Sequence, residues 1–340
     1  MKKYLLERRN NLLEENRFNA GSKARNDITE ILSRFGFEDS VINLKEGRIT
    51  KYIDMISLKG KLNDIESDSI IVVQYPFSWN IITNKLLKIL KDKNCKTIAL
   101  IHDIDSLRYS ELNDRKKEEI NILNMFDIII CHNDYMKQWL IDSKIITTCI
   151  SLNLFDYLVQ NSKEVLLNDF QNNNIIFAGN LSSEKSGFIY KIKDVKINLY
   201  GANLDKENIG ENINYLGKFD PNNLPDFPKG GYGLIWDGNS IETCEGDTGE
   251  YLKYNNPHKL SLYMAAGLPV IAWTKAAISK FVIENNIGFL IDDLNEIDKK
   301  IEINKNNYKE FCINSRKIKE KVTNGEYTIK SIEKAINRII

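Results

Sequence analysis

The sequence predicts an α/β protein made of two doubly wound parallel-sheet domains in tandem. Three observations carry this. Continuous apolar runs of strand length recur along the chain, as in Ser69–Gln74, Lys96–Ile101 and Phe126–Cys131, the kind that a parallel sheet buries on both faces. Helix-length segments with one apolar face alternate with them, the rhythm of right-handed βαβ units. The series then restarts after a polar stretch near the middle of the 340 residues, a length that suits two domains.

Taken in order, Tyr4–Leu6 reads as a short strand, followed by a polar loop through Asn19, Ala20 and Gly21. Ser22 is placed to cap a helix from Lys23 to Phe35. After the strand Ser69–Gln74, residues 79–92 form a helix with Ile82, Leu86, Ile89 and Leu90 on one face. The strands Lys96–Ile101 and Phe126–Cys131, a helix over 133–142 and the strand Lys144–Cys149 complete the first series. Residues 151–173 read as a junction that ends in the polar cluster 171–174. The second series has strands at Ile175–Ala178, Lys196–Tyr200, Gly233–Trp236, Val270–Trp273 and Gly288–Ile291. The charged stretch 295–323 is helical, and Ile329–Ile340 is an amphipathic helix that docks on the first domain, with a membrane surface as its other possible partner. The boundaries that follow are 1–155, joined by the C-terminal helix 326–340, for a first Rossmann-like domain, and 156–325 for a second.

Composition excludes several classes. The 47 basic and 47 acidic residues cancel, so no global field favours nucleic acid or an anionic surface. The five cysteines are scattered and never form CxxC, which argues against a disulfide framework or a zinc site and fits a reduced, cytoplasmic compartment. No signal peptide or transmembrane-length apolar run is present.

Ligands of doubly wound sheets bind beyond the carboxyl ends of the strands, so the turns there are the candidates. The strand at 175–178 runs into Gly179, Asn180, Leu181 and Ser182; the strand at 196–200 runs into Gly201. The strand at 233–236 runs into Asp237 and Gly238 and then a long polar loop, "NSIETCEGDTGEYLKYNN", which reads as a mobile lid. "NNPHKLSLYMAAGLPVIAW" follows. Here Asn256 is the expected N-cap and Pro257 the first helical residue, Leu260, Tyr263, Met264 and Ala266 form the buried stripe, and Gly267 stops the helix. A helix start beside Lys259 is suited to phosphate. There is neither a GxGxxG turn nor a GxxxxGK[ST] loop, which disfavours an NAD(P)-dependent dehydrogenase or epimerase and a P-loop kinase.

"PHKLSLYMAAGLPVIA" followed by "ISKFVIENNIGFLID" resembles the donor-binding half of GT-B glycosyltransferases. Together with "NAGSKARNDI", "LIHDIDSLR" and "IIFAGNL", it resembles a smaller bacterial group over nearly the whole chain. That group contains β-1,6-galactofuranosyltransferase-like proteins and the glucosyltransferase that extends GlcNAc on streptococcal serine-rich-repeat adhesins. The resemblance implies a GT-B fold, a UDP-sugar donor, a saccharide or glycoprotein acceptor, no cofactor, and transfer with inversion and without a metal. It makes a homo-oligomer plausible as well. Carried over by position, Gly179, Asn180 and Leu181 lie under the nucleotide, and Asn255, Asn256, His258 and Lys259 meet the ribose and diphosphate. Gly21 and Ser22 close over the phosphates or sugar. Retaining GT-B enzymes usually carry a Glu-x7-Glu pattern, which this chain lacks: Lys259 and Gly267 stand in that region.

His102 and Asp103 stand at a strand end and are the candidate bases for the acceptor hydroxyl, with Arg108 as an orienting group. Two other readings stay open: Asp103 and Asp105 as a metal-binding D-x-D, or a capped turn beside a satisfied histidine. His132 reads as structural, and Tyr75–Pro76–Phe77 is either an acceptor platform or a buried turn. A catalytically silent glycan-binding or chaperone partner is the functional alternative.

Overall fold

The computed structural model describes residues 1–9, 20–45, 50–159, 174–227 and 230–340. The chain divides into two units: Ala24–Leu152 with the first strand and Tyr327–Ile340 form one, and Asn153–Glu326 with the residues leading to Lys23 form the other.

The first unit is built from β1 (Lys3–Arg9), α1 (Ala20–Arg34), β2 (Glu38–Asn43), α2 (Thr50–Lys61), β3 (Ile70–Tyr75), α3 (Asn80–Asp92), β4 (Lys96–Ile101), α4 (Asp105–Arg108), α5 (Lys116–Leu123), β5 (Ile128–Cys131), α6 (Asp134–Asp142) and β6 (Thr148–Ser151). Its six strands lie in the order β2-β1-β3-β4-β5-β6, and each pair runs parallel. The sequence order reverses direction between β1 and β3, which makes their carboxyl ends the switch point. β3 and β5 are buried at every position, as their unbroken apolar runs require.

The second unit runs β7 (Ile175–Asn180), α7 (Ser183–Ser186), β8 (Ile197–Ala202), β9 (Ile213–Gly217), β10 (Tyr232–Ile235), α8 (Gly246–Tyr251), α9 (His258–Ala266), β11 (Val270–Trp273), α10 (Ser279–Glu284), β12 (Gly288–Ile291), α11 (Ile297–Asn304) and α12 (Tyr308–Thr323). The final helix, α13 (Glu326–Ile339), buries Ile332, Ala335 and Ile336 and belongs from Tyr327 onward to the first unit. The second sheet is again parallel, in the order β12-β11-β10-β7-β8-β9, with its switch point between β10 and β7. The α9–β11 turn is made by Gly267, whose φ of 72° is the left-handed geometry that a helix end needs.

Several expectations shift. α1 already begins at Ala20, so Ser22 sits inside its first turn and is not the cap, and Asn19 lies outside the described residues. The strand expected at 144–149 is displaced: Lys144, at φ 74°, closes the turn after α6, and β6 starts only at Thr148. The 295–323 segment is two helices, α11 and α12, separated at residues 305–307. Most of the 151–173 junction lies outside the described residues. Two edge strands, β2 and β9, are not expected from the sequence; both are short and each buries a single residue, Ile42 or Ile213, because an edge strand buries little.

Candidate functional site

In the second unit the switch point is opened by a tyrosine. β10 and β7 pair only at Tyr232–Ile175 and Gly233–Ile176. Beyond those pairs the hydroxyl of Tyr263, from α9, occupies the gap between the strands. It accepts from the Ala178 N–H at 3.0 Å and lies 3.2 Å and 3.3 Å from the Leu234 and Ile176 carbonyl oxygens. The ring passes directly over Gly233, where any Cβ would fall 2.3 Å from it. Glycine at 233 is therefore what lets α9 lie against the strands.

This packing brings the start of α9 to the ends of β7 and β10. Lys259 reaches over Gly179, with its Cε 3.2 Å from where a Cβ would stand, and its ammonium lies 4.8 Å from the Phe177 ring centroid. It ends 2.5 Å from the carboxylate of Asp237, the first residue of the turn that follows Trp236. From sequence Asp237 is a turn residue with no role of its own; its strand-end position is the signal that could have singled it out.

No side chain caps the first turn of α9. Pro257 occupies the N-cap position, and the amide of Asn256 instead donates to the Asn153 carbonyl at 3.0 Å. Asn256 is thus a buried structural tie, which corrects its expected capping role. Two buried polar atoms nearby lack any hydrogen-bond partner: Asn255 Oδ1 and His258 Nε2. Buried unpaired groups are costly and call for an explanation. The His258 ring lies 5.0 Å from the Tyr157 ring. Burial pushes its imidazole down to about 3, helped by the charge of Lys23, so it is neutral at physiological pH.

At the end of β7, Asn180 Oδ1 accepts from the Ser182 N–H and from the Asn203 amide. Leu181 has nothing polar left to offer: its N–H donates to Ala202, its carbonyl accepts from Tyr190, and its side chain is fully buried. It supports the turn from beneath. Gly21 is exposed and Ser22 half-buried in the first turn of α1. The loop after Asp237, expected as a mobile lid, is anchored at a few points. Trp236 Nε1 donates to the Ser240 carbonyl, Cys244 is buried, and α8 brings in Tyr251. The many polar residues of this loop conceal the few that anchor it.

In the first unit, polar groups gather at the carboxyl ends of β1, β3 and β4. Gln74 Nε2 donates to Thr29 Oγ1 at 3.0 Å and to the Arg25 carbonyl at 3.3 Å, which orients the amide. Its Oε1 then faces His102 Nε2 at 2.6 Å. An acceptor there requires the proton on Nε2, an assignment made from the network, and leaves Nδ1 as the basic nitrogen of the neutral ring. Asp103 accepts from Arg108 at 2.7 Å, so Arg108 orients the candidate base itself. Arg25 donates to the Gln74 and Pro76 carbonyls, and burial lowers its guanidinium to about 10, partly offset by Asp103. Neither Arg25 nor Gln74 is identifiable from sequence, because a polar residue at a strand or helix end carries no periodic signal.

Tyr75 and Phe77 are both almost fully buried, and the Tyr75 hydroxyl donates to Glu119 at 3.1 Å. The segment is a buried turn and not a platform for an acceptor. Glu119 also accepts from the N–H groups of Asp105 and Ser106, capping α4 from a neighbouring helix. Burial raises the Asp105 carboxyl above its ordinary value, and Asp103 adds to the shift. His132 is buried, its imidazole pushed down to about 4 by desolvation. Among the described residues, no helix is long and apolar enough to cross a membrane.

Two family models match the chain: the glucosyltransferase 3-like N-terminal domain over residues 7–154 and the C-terminal domain over residues 175–335. The β-1,6-galactofuranosyltransferase WbbI of Escherichia coli (strain K12) is 33% identical, covering 96% of this chain and 97% of its own. Glucosyltransferase 3 of Streptococcus gordonii is 22% identical over 93% of this chain and 94% of its own. Among solved structures, sucrose-phosphate synthase from Thermosynechococcus elongatus superposes with a TM-score of 0.64 at 12% identity, over 99% of both chains. Anabaena HepE in complex with UDP superposes with a TM-score of 0.60 at 13% identity, over 98% of this chain and 99% of its own. With a full-length relative at this identity and both domain models in register with its two sheets, the chain belongs to the glucosyltransferase 3-like family and is a glycosyltransferase of the GT-B fold.

Proposed function

We propose that the chain transfers a hexosyl group, glucose or galactofuranose, from a UDP-sugar to a hydroxyl of a saccharide or glycoprotein, with inversion and without a metal, in the cytoplasm. The donor choice draws on relatives named as a galactofuranosyltransferase and a glucosyltransferase, and on a fold neighbour solved with UDP. The observation that carries the donor site is an uncapped helix start that bears Lys259 and, on the neighbouring residues Asn255 and His258, two unpaired buried atoms, Oδ1 and Nε2. A ribose hydroxyl donates to the first of these and a neutral imidazole N–H donates to a phosphate, so one ligand satisfies both. Gly179 and Asn180 line the floor of that site, Leu181 supports it from below, and Gly21 and Ser22 approach the phosphates or sugar.

In the chemical step the acceptor oxygen bonds to the anomeric carbon as the bond from that carbon to the diphosphate breaks. The hydroxyl proton passes to Asp103 or His102, the candidate bases of the first unit. The charge that develops on the leaving diphosphate is met by Lys259 and by the N–H groups of the first turn of α9, which is electrostatic stabilisation by groups already in place. Arg108 and Gln74 act as positioning residues, on the carboxylate and the imidazole respectively.

Calorimetric titration of the purified protein with UDP, ADP, GDP and NAD in the presence of EDTA tests the donor reading. UDP binds and NAD does not. Binding that requires manganese would return the Asp103–Asp105 pair to consideration as a metal site, and binding without any transfer would favour a silent partner. Product NMR reads the anomeric outcome, and retention overturns the inverting mechanism.

A further inference from the structure

Helix α2 in the first unit is apolar on the wrong side. Asp54 and Leu58 face inward and are buried, whereas Tyr52, Ile53 and Ile56 are 53%, 52% and 76% exposed. At the start of the neighbouring α3, Trp79 and Ile81 are exposed to 44% and 45%. A surface helix of a globular domain normally turns polar residues outward, and a cluster of large apolar side chains marks an interaction surface. Tyr52 of α2 and Trp79 at the start of α3 lie on either side of one lysine: Lys51 Nζ is 5.2 Å from the Tyr52 ring centroid and 5.4 Å from that of Trp79.

The charge pattern identifies the occupant. Tyr52, Ile56 and Lys59 recur at i, i+4 and i+7 on α2, and Ile81, Lys85 and Lys88 recur in the same way on α3. Each helix therefore carries an apolar group near its amino end and lysines along the same stripe. The acidic residues of the two helices are Asp54, buried and paired with Lys61 at 3.0 Å, and Asp92 at the far end of α3. In a chain whose formal net charge is zero, this face is locally basic.

We propose that the outward face of α2 and the start of α3, carrying Tyr52, Ile53, Ile56, Trp79 and Ile81, docks on an anionic lipid bilayer, with the flanking lysines at the headgroups. Tryptophan and tyrosine favour the depth where acyl chains meet headgroups, isoleucine goes below it, and lysine above it pairs with anionic lipid. A second copy of this chain is the poorer fit, because a two-fold contact would set the same lysines against each other. The surface belongs to the first unit and the proposed donor residues Gly179, Asn255, His258 and Lys259 to the second, so the outcome here does not depend on the donor.

The test is sedimentation of the full chain with vesicles of phosphatidylcholine alone or mixed with phosphatidylglycerol. The wild type partitions onto the mixed vesicles and only weakly onto the neutral ones, and raising the salt releases it. The double variant Ile53→Ser, Ile56→Ser, at exposed positions, keeps its thermal unfolding profile and loses at least tenfold in partitioning. Lys51→Glu with Lys59→Glu abolishes the preference for phosphatidylglycerol. Trp79 fluorescence shifts to the blue on vesicle addition, and Trp79→Phe removes that shift. No association of the wild type with mixed vesicles, or equal association of the double variant, overturns the proposal. So does a dimer in sedimentation velocity that the double variant disperses, since the face would then belong to a second copy.

Discussion

Lys259 Nζ lies 2.5 Å from Asp237 Oδ1, and the two side chains are only 10% and 8% exposed. A pair this deep is held by mutual neutralisation, and removing one partner leaves a buried charge whose cost is about 3–5 kcal/mol. The ammonium is also the cation proposed to meet the diphosphate at the start of α9. Asp237→Asn therefore lowers the melting temperature of the free protein, and UDP raises it by more than it does for the wild type, because the ligand now supplies the missing negative charge. Lys259→Ala weakens UDP about 10–100-fold, in line with a lost hydrogen bond to a charged group. Thermal shift and calorimetry read both effects; a Lys259→Ala protein with normal UDP affinity would remove the phosphate from this site.

Tyr263 is the wedge that holds β7 and β10 apart at their carboxyl ends. Tyr263→Phe deletes the acceptor for the Ala178 N–H and strands that buried donor, at a cost of about 1–3 kcal/mol. Gly233→Ala drives a methyl into the ring and costs as much or more, since the overlap at 2.3 Å leaves no room without a shift of α9. Urea unfolding measures both. The phenylalanine variant also weakens UDP binding, because α9 sets where Lys259 ends; unchanged UDP affinity would make Tyr263 a core residue alone.

The fold was legible because the central strands of both sheets are buried on two faces and so read as unbroken apolar runs, from Ile70–Tyr75 to Val270–Trp273. What stayed hidden lies at the edges and outside. β2 and β9 each bury only one residue, Ile42 and Ile213, and α2 points its isoleucines outward, so neither type of element shows the expected pattern. Lys259 and Gly179 could be found from the helix start and the strand end. Tyr263 and Gln74 could not be assigned their places, because each acts through hydrogen bonds to backbone or side chains far away in sequence. The misplaced cap at Asn256 shows the same limit: a local preference for capping gave way to a tie to Asn153.

His102 and Asp103 are separable by experiment. Asp103→Asn keeps the hydrogen-bonding shape beside Arg108 but cannot take a proton, so if Asp103 is the base, transfer falls by a factor on the order of 10²–10⁴ while UDP binding is unchanged. His102→Gln then costs much less. If the imidazole is the base the order reverses, and Gln74→Leu, which removes the acceptor fixing the proton on Nε2, also slows transfer without moving UDP affinity. Initial rates with saturating donor, alongside calorimetry, decide between the two.

Acid should destabilise the protein through its buried histidines. Burial holds His132 at about 4 and His258 at about 3, below the ordinary value near 6.5 that each regains on unfolding. Between those limits the unfolded chain binds more protons than the folded one, so stability rises with pH. The contribution is complete above about pH 6.5 and shrinks as the pH drops from there towards the folded values. Each histidine accounts for a loss of about 2 kcal/mol by pH 5. Urea midpoints recorded from pH 7.5 to 5 should fall accordingly, and His132→Gln should flatten the curve by about one histidine's share. A wild-type midpoint that stays level across that range would mean that both rings become charged without opening the fold.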